Sequence, residues 1–354
     1  MKRIALLTAS ALAAAALVAA ALAFVLVRRE LAERVLVGTD EPVMLDVAPG
    51  ETPAQIARRL EEAGIVRSAR LLLALARWRG ADRAFRFGRH EFEGSLSAGD
   101  VLRELERTPK PVLRVTIPEG LTWREIGALL EAAGATSAAD YQAAVCSEDF
   151  LREAGALKTA NCAEGFLFPD TYDLVPGMSA RRIAQIQLRR FRAVAAPLAA
   201  ALGPTAHEPT GRGDAQDSPA RLSRALTIAS IIEKETAVVA ERQLVAAVIY
   251  NRLRLGMPLQ VDPTVIYGVI ASGRPWDGNL TRGHLETPTP YNTYLRRERP
   301  PGPICNPGVA SLRAALAPAD ASYLYFVARG GDGSHEFNAS LADHNRAVRR
   351  FQIR

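Results

Sequence analysis

Lysine is nearly absent from this chain. Only Lys2, Lys110, Lys158 and Lys234 occur, so arginine supplies almost all of the positive charge behind the formal net charge of +6. Those arginines are scattered, in a sequence only 6% aromatic. Without a basic stripe interleaved with rings, no nucleic-acid partner is expected. Solubility, or attraction to anionic lipid and anionic polymer, explains the sign of the charge as well. In the C-terminal half the one lysine is Lys234, and no glycine-rich phosphate loop accompanies it. That excludes pyridoxal-phosphate chemistry, which needs both. Cysteine is scarce too: three residues cannot all pair within the chain, and no Cys-x-x-Cys spacing exists to build a zinc knuckle. Cys146 and Cys162 are close enough in sequence to bond in an oxidising compartment, whereas Cys305 lies among prolines and glycines with no partner. His335 and His344 straddle a predicted strand and a predicted helix, which reads as structural rather than metal-binding. Neither metal nor cofactor is expected.

What the chain does have is apolar residues, 48% of 354, enough for two or three folded units. They are concentrated first in residues 4–27, an uncharged run behind Lys2 and Arg3 and ahead of Arg28 and Arg29. Its length suits a helix crossing a hydrocarbon layer of about 30 Å. A cleaved signal peptide is the alternative, with Ala21-Leu22-Ala23 as the small-residue site, but its apolar region should be shorter. We therefore expect residues 1–29 to form a cytoplasmic tip and membrane anchor. Basic residues flank both ends, so charge alone leaves the orientation open.

Beyond a charged stalk over 28–40, a pattern repeats. A short β-like lead at 43–47 precedes Gly50-Glu51-Thr52 and a helical period through Ile56 and Leu60 to Gly64. About seventy residues on, a lead at 113–117 precedes Gly120-Leu121-Thr122 and a period through Ile126 and Leu130 to Gly134. In each copy a threonine suits the N-cap and a glycine the helix end. The first copy predicts helices over 53–63 and 69–79, a strand over 87–92 and a helix over 98–107. This β-α-α-β module resembles a LysM domain, a small glycan-binding fold, though a spacer with the same fold is an equal reading. We assign the stalk and module to 30–110, a second LysM-like subdomain to 111–160, and a breaker-rich flexible insertion, containing His207, to 203–219. From 220 onward, helices over 220–234, 238–255 and 262–270 precede a strand over 323–328, a turn, a partner strand over 335–338 and a last helix over 341–352. The fold class is thus α+β, with a mostly helical C-terminal domain over 111–354 and a small sheet.

The informative stretch is Ala229-Ser230-Ile231-Ile232-Glu233-Lys234-Glu235-Thr236. On a helix Glu235 shares a face with Ile232, Ile231 and Ile228, while Glu233 shares one with Ser230, Ala229 and Leu226, a less apolar row. A carboxyl on an apolar stripe is desolvated, which raises its pKa and keeps it protonated near neutrality, as a general acid requires. Three further segments are dense in amide, hydroxyl and aromatic groups: Gln260, Asp262 and Thr264; Tyr267; and Glu286, Tyr291, Asn292 and Thr293. Sugars want this mixture of flat apolar faces and directional donors.

Residues 229–237, Asn251-Arg252-Leu253, and the blocks at 260–268, 286–294, 300–308 and 323–328 resemble the endolytic murein transglycosylase, or YceG-like, family, as does Gly165-Phe166-Leu167-Phe168-Pro169-Asp170-Thr171-Tyr172. The resemblance spans nearly the whole chain. It implies a lysozyme-like catalytic core over 220–354 and a single acid/base glutamate just before Ser or Thr, a position that Glu235-Thr236 fits. It further implies cleavage of peptidoglycan glycan strands by an enzyme anchored in the cytoplasmic membrane with its catalytic domain in the periplasm, and peptidoglycan synthases as partners. Two rival readings remain. One is a glycoside hydrolase with Glu233, Asp262 or Glu286 as base; the other is a non-catalytic peptidoglycan-binding scaffold. The insertion at 203–219 and Cys305, where a small apolar residue is expected, depart from the family pattern.

Overall fold

The computed structural model describes residues 33–38, 42–109, 112–156, 162–202, 218–331 and 333–352. The expected anchor at 1–29 and residues 203–217 of the expected insertion, His207 included, lie outside the described residues. Among those described, no helix is long and apolar enough to cross a membrane. The architecture is α+β, with four two-stranded antiparallel sheets amid helices among the described residues. The chain divides into two compact units, the boundary falling between Val112 and Leu113.

The first unit holds β1 (Val35–Val37), β2 (Val43–Val47), α1 (Pro53–Glu62), α2 (Ala69–Arg79), β3 (Gly88–Phe92), β4 (Gly94–Leu96) and α3 (Ala98–Glu106). Local chemistry sets the helix ends. Thr52 and Gln55 exchange side-chain and backbone hydrogen bonds in a capping box at α1, as Ser97 and Asp100 do at α3. Behind α1 the chain turns at Gly64, whose φ of 68° favours glycine, and Ile65 N–H bonds back to the Leu60 carbonyl at 2.9 Å. Strands β2 and β3 pair with Leu45 opposite His90, and Ile56, Leu60, Leu72, Phe92, Leu102 and Leu105 close the core. The sequence reading missed one pair: β1 lies in the supposed stalk and bonds to β4. Three residues show no period, and nothing local announces so distant a partner.

The second unit opens with β5 (Leu113–Thr116), α4 (Trp123–Ala132), α5 (Ala138–Val145), α6 (Glu148–Ala154) and β6 (Thr171–Leu174). The devices of the first unit recur: a Thr122–Glu125 capping box, Gly134 at φ 73°, and Ala135 N–H bonded to the Leu130 carbonyl at 2.9 Å. The partner of β5 is β6, which lies beyond residue 160. Cys146 and Cys162 are joined in a disulfide. Then follow α7 (Ala180–Leu202), α8 (Ser218–Glu235), α9 (Arg242–Arg254), α10 (Asp262–Ala271), α11 (Arg282–Leu285), α12 (Val309–Leu316), the hairpin β7 (Tyr325–Ala328) and β8 (His335–Asn338), and α13 (Leu341–Phe351). Leu226, Ile228, Ala229, Ile231 and Ile232 bury α8 in the core beside Leu312 and Leu316 of α12. A helix apolar all round belongs inside. Its last turn reaches solvent, and near its start Arg221, Leu222 and Arg224 are partly exposed as well.

Candidate active site

Two glutamates stand in that last turn, and their surroundings differ. Glu233 is held: Arg242 Nη2 donates to its Oε1 and Gly308 N–H to its Oε2, both at 3.0 Å. Both partners of the ion pair are buried, with side-chain exposures of 8% and 7%. A side chain on Gly308 would meet the Glu119 carboxylate, which would have to swing aside. Glu235, half-buried, accepts no hydrogen bond among the described residues. Burial lifts its carboxyl to about 7; the Asp262 carboxylate pushes the same way and Arg252 opposes both. The two rows of the helix do not differ in burial as their residue types suggest. Ser230, Ala229 and Leu226 are as fully buried as Ile232, Ile231 and Ile228, because the middle of α8 is enclosed on every side. Partners, not apolarity, separate the two acids.

Around Glu235 three elements converge. Asp262 opens α10 but does not cap it; the cap residue is Val261, which leaves the Asp262 carboxylate to accept the Tyr294 hydroxyl at 2.6 Å. From α9, Arg252 spends its guanidinium on main-chain carbonyls: Nε to Leu324 at 2.7 Å, and Nη1 to Leu259 at 2.8 Å and Pro258 at 3.3 Å. It also lies over the Tyr325 ring, 5.1 Å from the centroid. The other neighbour of that ring is His344, stacked at 5.2 Å, while His335 pairs with Glu241 at 2.7 Å. His335 is thus bonded within the protein, whereas His344 Nδ1 is buried with no hydrogen-bond partner among the described residues. Gln260 sits between, exposed, at φ 54°.

Of the other residues the sequence singles out, Thr264, Asn292 and Thr293 are fully enclosed framework. Thr264 and Thr293 hydroxyls meet at 2.8 Å, and Thr293 Oγ1 accepts Val261 N–H at 3.0 Å. Asn292 Nδ2 donates to the carbonyls of Leu285 and Thr287, which fastens the turn. These three shape the loops rather than face a ligand. Glu286 is exposed in a surface pair with Arg282 at 2.9 Å, a poor place for a catalytic base. Tyr267 and Tyr291, edge to face at 4.8 Å, gather about a different acid.

That acid is Glu164, which sequence reasoning missed. It is buried, and its Oε1 accepts Trp123 N–H at 2.9 Å and Asn306 Nδ2 at 2.8 Å. Burial raises it to about 8, and it in turn helps burial hold Tyr291 at about 12 and Tyr267 higher still. Gly165 beside it turns at φ 87°, where a Cβ would stand 2.7 Å from Pro303. Its one signal in the sequence is adjacency to the 165–172 block. Arg252 likewise stood inside the 251–253 block without a role, and Tyr294 closed the 286–294 block.

The site therefore offers one desolvated, unbonded carboxyl poised to give a proton and take it back, with charged groups of both signs to tune it. Comparison with known proteins gives this geometry a family. The sequence model of the YceG-like family matches residues 45–350. An endolytic murein transglycosylase from Bacillus subtilis is 27% identical over 337 residues, 91% of this chain and 88% of the relative. Another, from Streptococcus pneumoniae, is 26% identical, and the match takes in 86% of this chain but 58% of that one. A crystal structure of a yceG-like protein from Listeria monocytogenes has a TM-score of 0.56 at 27% identity, covering 86% of this chain and 99% of that one. By sequence and by fold, the chain belongs to the YceG-like family.

Proposed function

We propose that this protein is a peptidoglycan lytic transglycosylase with Glu235 as its single acid/base. The observation that carries the reading is the contrast in the last turn of α8: Glu233 is tied to Arg242 and Gly308, while Glu235 is unbonded and raised to about 7. Protonated Glu235 donates to the oxygen between N-acetylmuramic acid and N-acetylglucosamine, and that C–O bond breaks as oxocarbenium-like charge builds at the anomeric carbon. The carboxylate left behind takes the proton from the muramic C6 hydroxyl, whose oxygen closes onto C1 as a 1,6-anhydro ring. The nucleophile is internal to the substrate, so no second carboxylate is required, in contrast to ordinary glycosidases. Cutting within nascent strands ends their elongation, with peptidoglycan synthases as partners. Residues 1–29 anchor the enzyme in the cytoplasmic membrane and the rest faces the periplasm, a compartment compatible with the Cys146–Cys162 bond. The first unit, on its LysM-like reading, adds a glycan contact.

A second reading, hydrolysis, is favoured by one observation: the Asp262 carboxylate acts on Glu235 and could direct water. Mass spectrometry of products from uncrosslinked glycan strands separates the two. Internal fragments ending in 1,6-anhydromuramic acid, absent with Glu235→Gln, are expected; reducing muramic ends would move the enzyme to the hydrolases. Cleavage that survives Glu235→Gln would overturn the assignment of the acid.

A further inference from the structure

Among the described residues one non-glycine, Gln260, has a positive φ, 54°. For a side chain with a Cβ this backbone costs on the order of 1 kcal/mol, and glycine would occupy it freely. The conformation is imposed from both sides. Ahead of it, Arg252 takes the carbonyls of Pro258 and Leu259. At and behind it, Gln260 N–H donates to the Thr293 carbonyl at 3.1 Å and Val261 N–H to Thr293 Oγ1 at 3.0 Å. Thr293 is in turn locked to buried Thr264. The frame is rigid, and yet the side chain it presents is exposed and makes no hydrogen bond among the described residues. The same frame carries the groups that tune Glu235: Arg252 holds the turn, and Asp262 is two residues on.

A non-glycine residue where glycine fits better, on a clamped turn two residues before the Asp262 that acts on Glu235, with an idle amide, has a use for that amide. Resting on the transglycosylase reading, we infer that Gln260 is a specificity-determining residue whose side-chain amide pairs with the acetamido group of a sugar next to the scissile bond. A primary amide offers one acceptor and two donors in a plane, which complements the N–H and C=O of an acetamide in a way that a hydroxyl or an ammonium does not match. The substrate class is accordingly N-acetylated glycan, and de-N-acetylated strands are poor substrates at this position.

The test uses the full chain in detergent, with uncrosslinked glycan strands either fully N-acetylated or enzymatically de-N-acetylated. Wild type should prefer the acetylated strands. Gln260→Gly relieves the backbone, so its thermal midpoint should equal or exceed that of wild type. Its KM on acetylated strands should rise roughly tenfold, the size of one or two lost hydrogen bonds, with kcat within about twofold, and its preference should vanish. Gln260→Asn tolerates the same φ and keeps a shorter amide, so it should fall between. If Gln260→Gly cleaves both polymers as wild type does, the residue only makes the turn and the inference fails. If wild type releases no anhydro ends from either polymer while remaining folded, the transglycosylase reading fails, which is a separate result.

Discussion

Glu233 and Glu235 are two residues apart on one helix and should respond to the same substitution in opposite ways. Removing Glu233 takes from buried Arg242 its 3.0 Å partner and leaves it the Glu119 carboxylate at 3.9 Å, so the loss approaches but stays below the about 3–5 kcal/mol of a fully orphaned buried charge. Glu233→Ala is therefore expected to lower the unfolding midpoint sharply in a denaturant titration, and to lose activity only through loss of fold. Glu235→Gln should fold normally and lose roughly a hundredfold to ten-thousandfold in cleavage, the span of general acid catalysis. On the proposed mechanism the proton must be on Glu235 for the first step. Above about 7 the acid form is depleted, so kcat/KM should fall about tenfold per pH unit on the alkaline side. Asp262 raises that value, so Asp262→Asn should slide the alkaline limb to lower pH without abolishing cleavage. An unmoved limb would detach Asp262 from the proton's energetics. Sequence periodicity selected Glu235 for an incomplete reason, since both rows of α8 are buried. One partner that ties Glu233 down, Gly308, lies far along the chain, where no local pattern points to Glu233.

Elements, unlike site partners, were largely legible, because their signals are local. Thr52 with Gln55 and Thr122 with Glu125 mark helix starts by chemistry three residues long, and Gly64 and Gly134 mark ends by a φ that glycine prefers. Pairing across distance was not legible: β1 with β4, β5 with β6, and the node at Glu164 that joins the start of α4 to the 303–308 segment through Asn306. Asn306 Oδ1 also accepts Leu167 N–H at 2.9 Å, so three stretches meet there. This junction has a pH signature. Glu164 is neutral in the folded protein up to about 8, whereas in the unfolded chain it ionises near its ordinary 4.5. Between those values the unfolded state binds fewer protons, so stability falls as pH rises, by up to about 1.4 kcal/mol per unit, and levels off above 8. Glu164→Gln keeps the acceptor for Trp123 and Asn306 and cannot ionise. Midpoints measured from pH 5 to 9 should decline less for the variant than for wild type, and parallel curves would show that Glu164 is not neutral in the folded state.

At the scale of the molecule, each compact unit closes around its own apolar cluster, the first with Leu60 and Phe92 inside, the second with Tyr141, Phe150, Leu226 and Ile232. A unit with its own core has the means to unfold as its own cooperative step. Calorimetry of the full chain is therefore expected to resolve two transitions, and the disulfide offers a way to assign them. Cys146 and Cys162 are 16 residues apart, both in the second unit, and a loop of that length constrains the unfolded chain by about 3 kcal/mol. Reduction, or the double change of Cys146→Ser and Cys162→Ser, should lower one transition by roughly 6–12 °C in a unit of this size and leave the other in place. That transition should also be the one shifted by Glu164→Gln, since Glu164 stands two residues after Cys162 and shares its core. A single transition that moves as a whole would mean that the two cores unfold together, and the pH slope assigned to Glu164 would then belong to the entire chain.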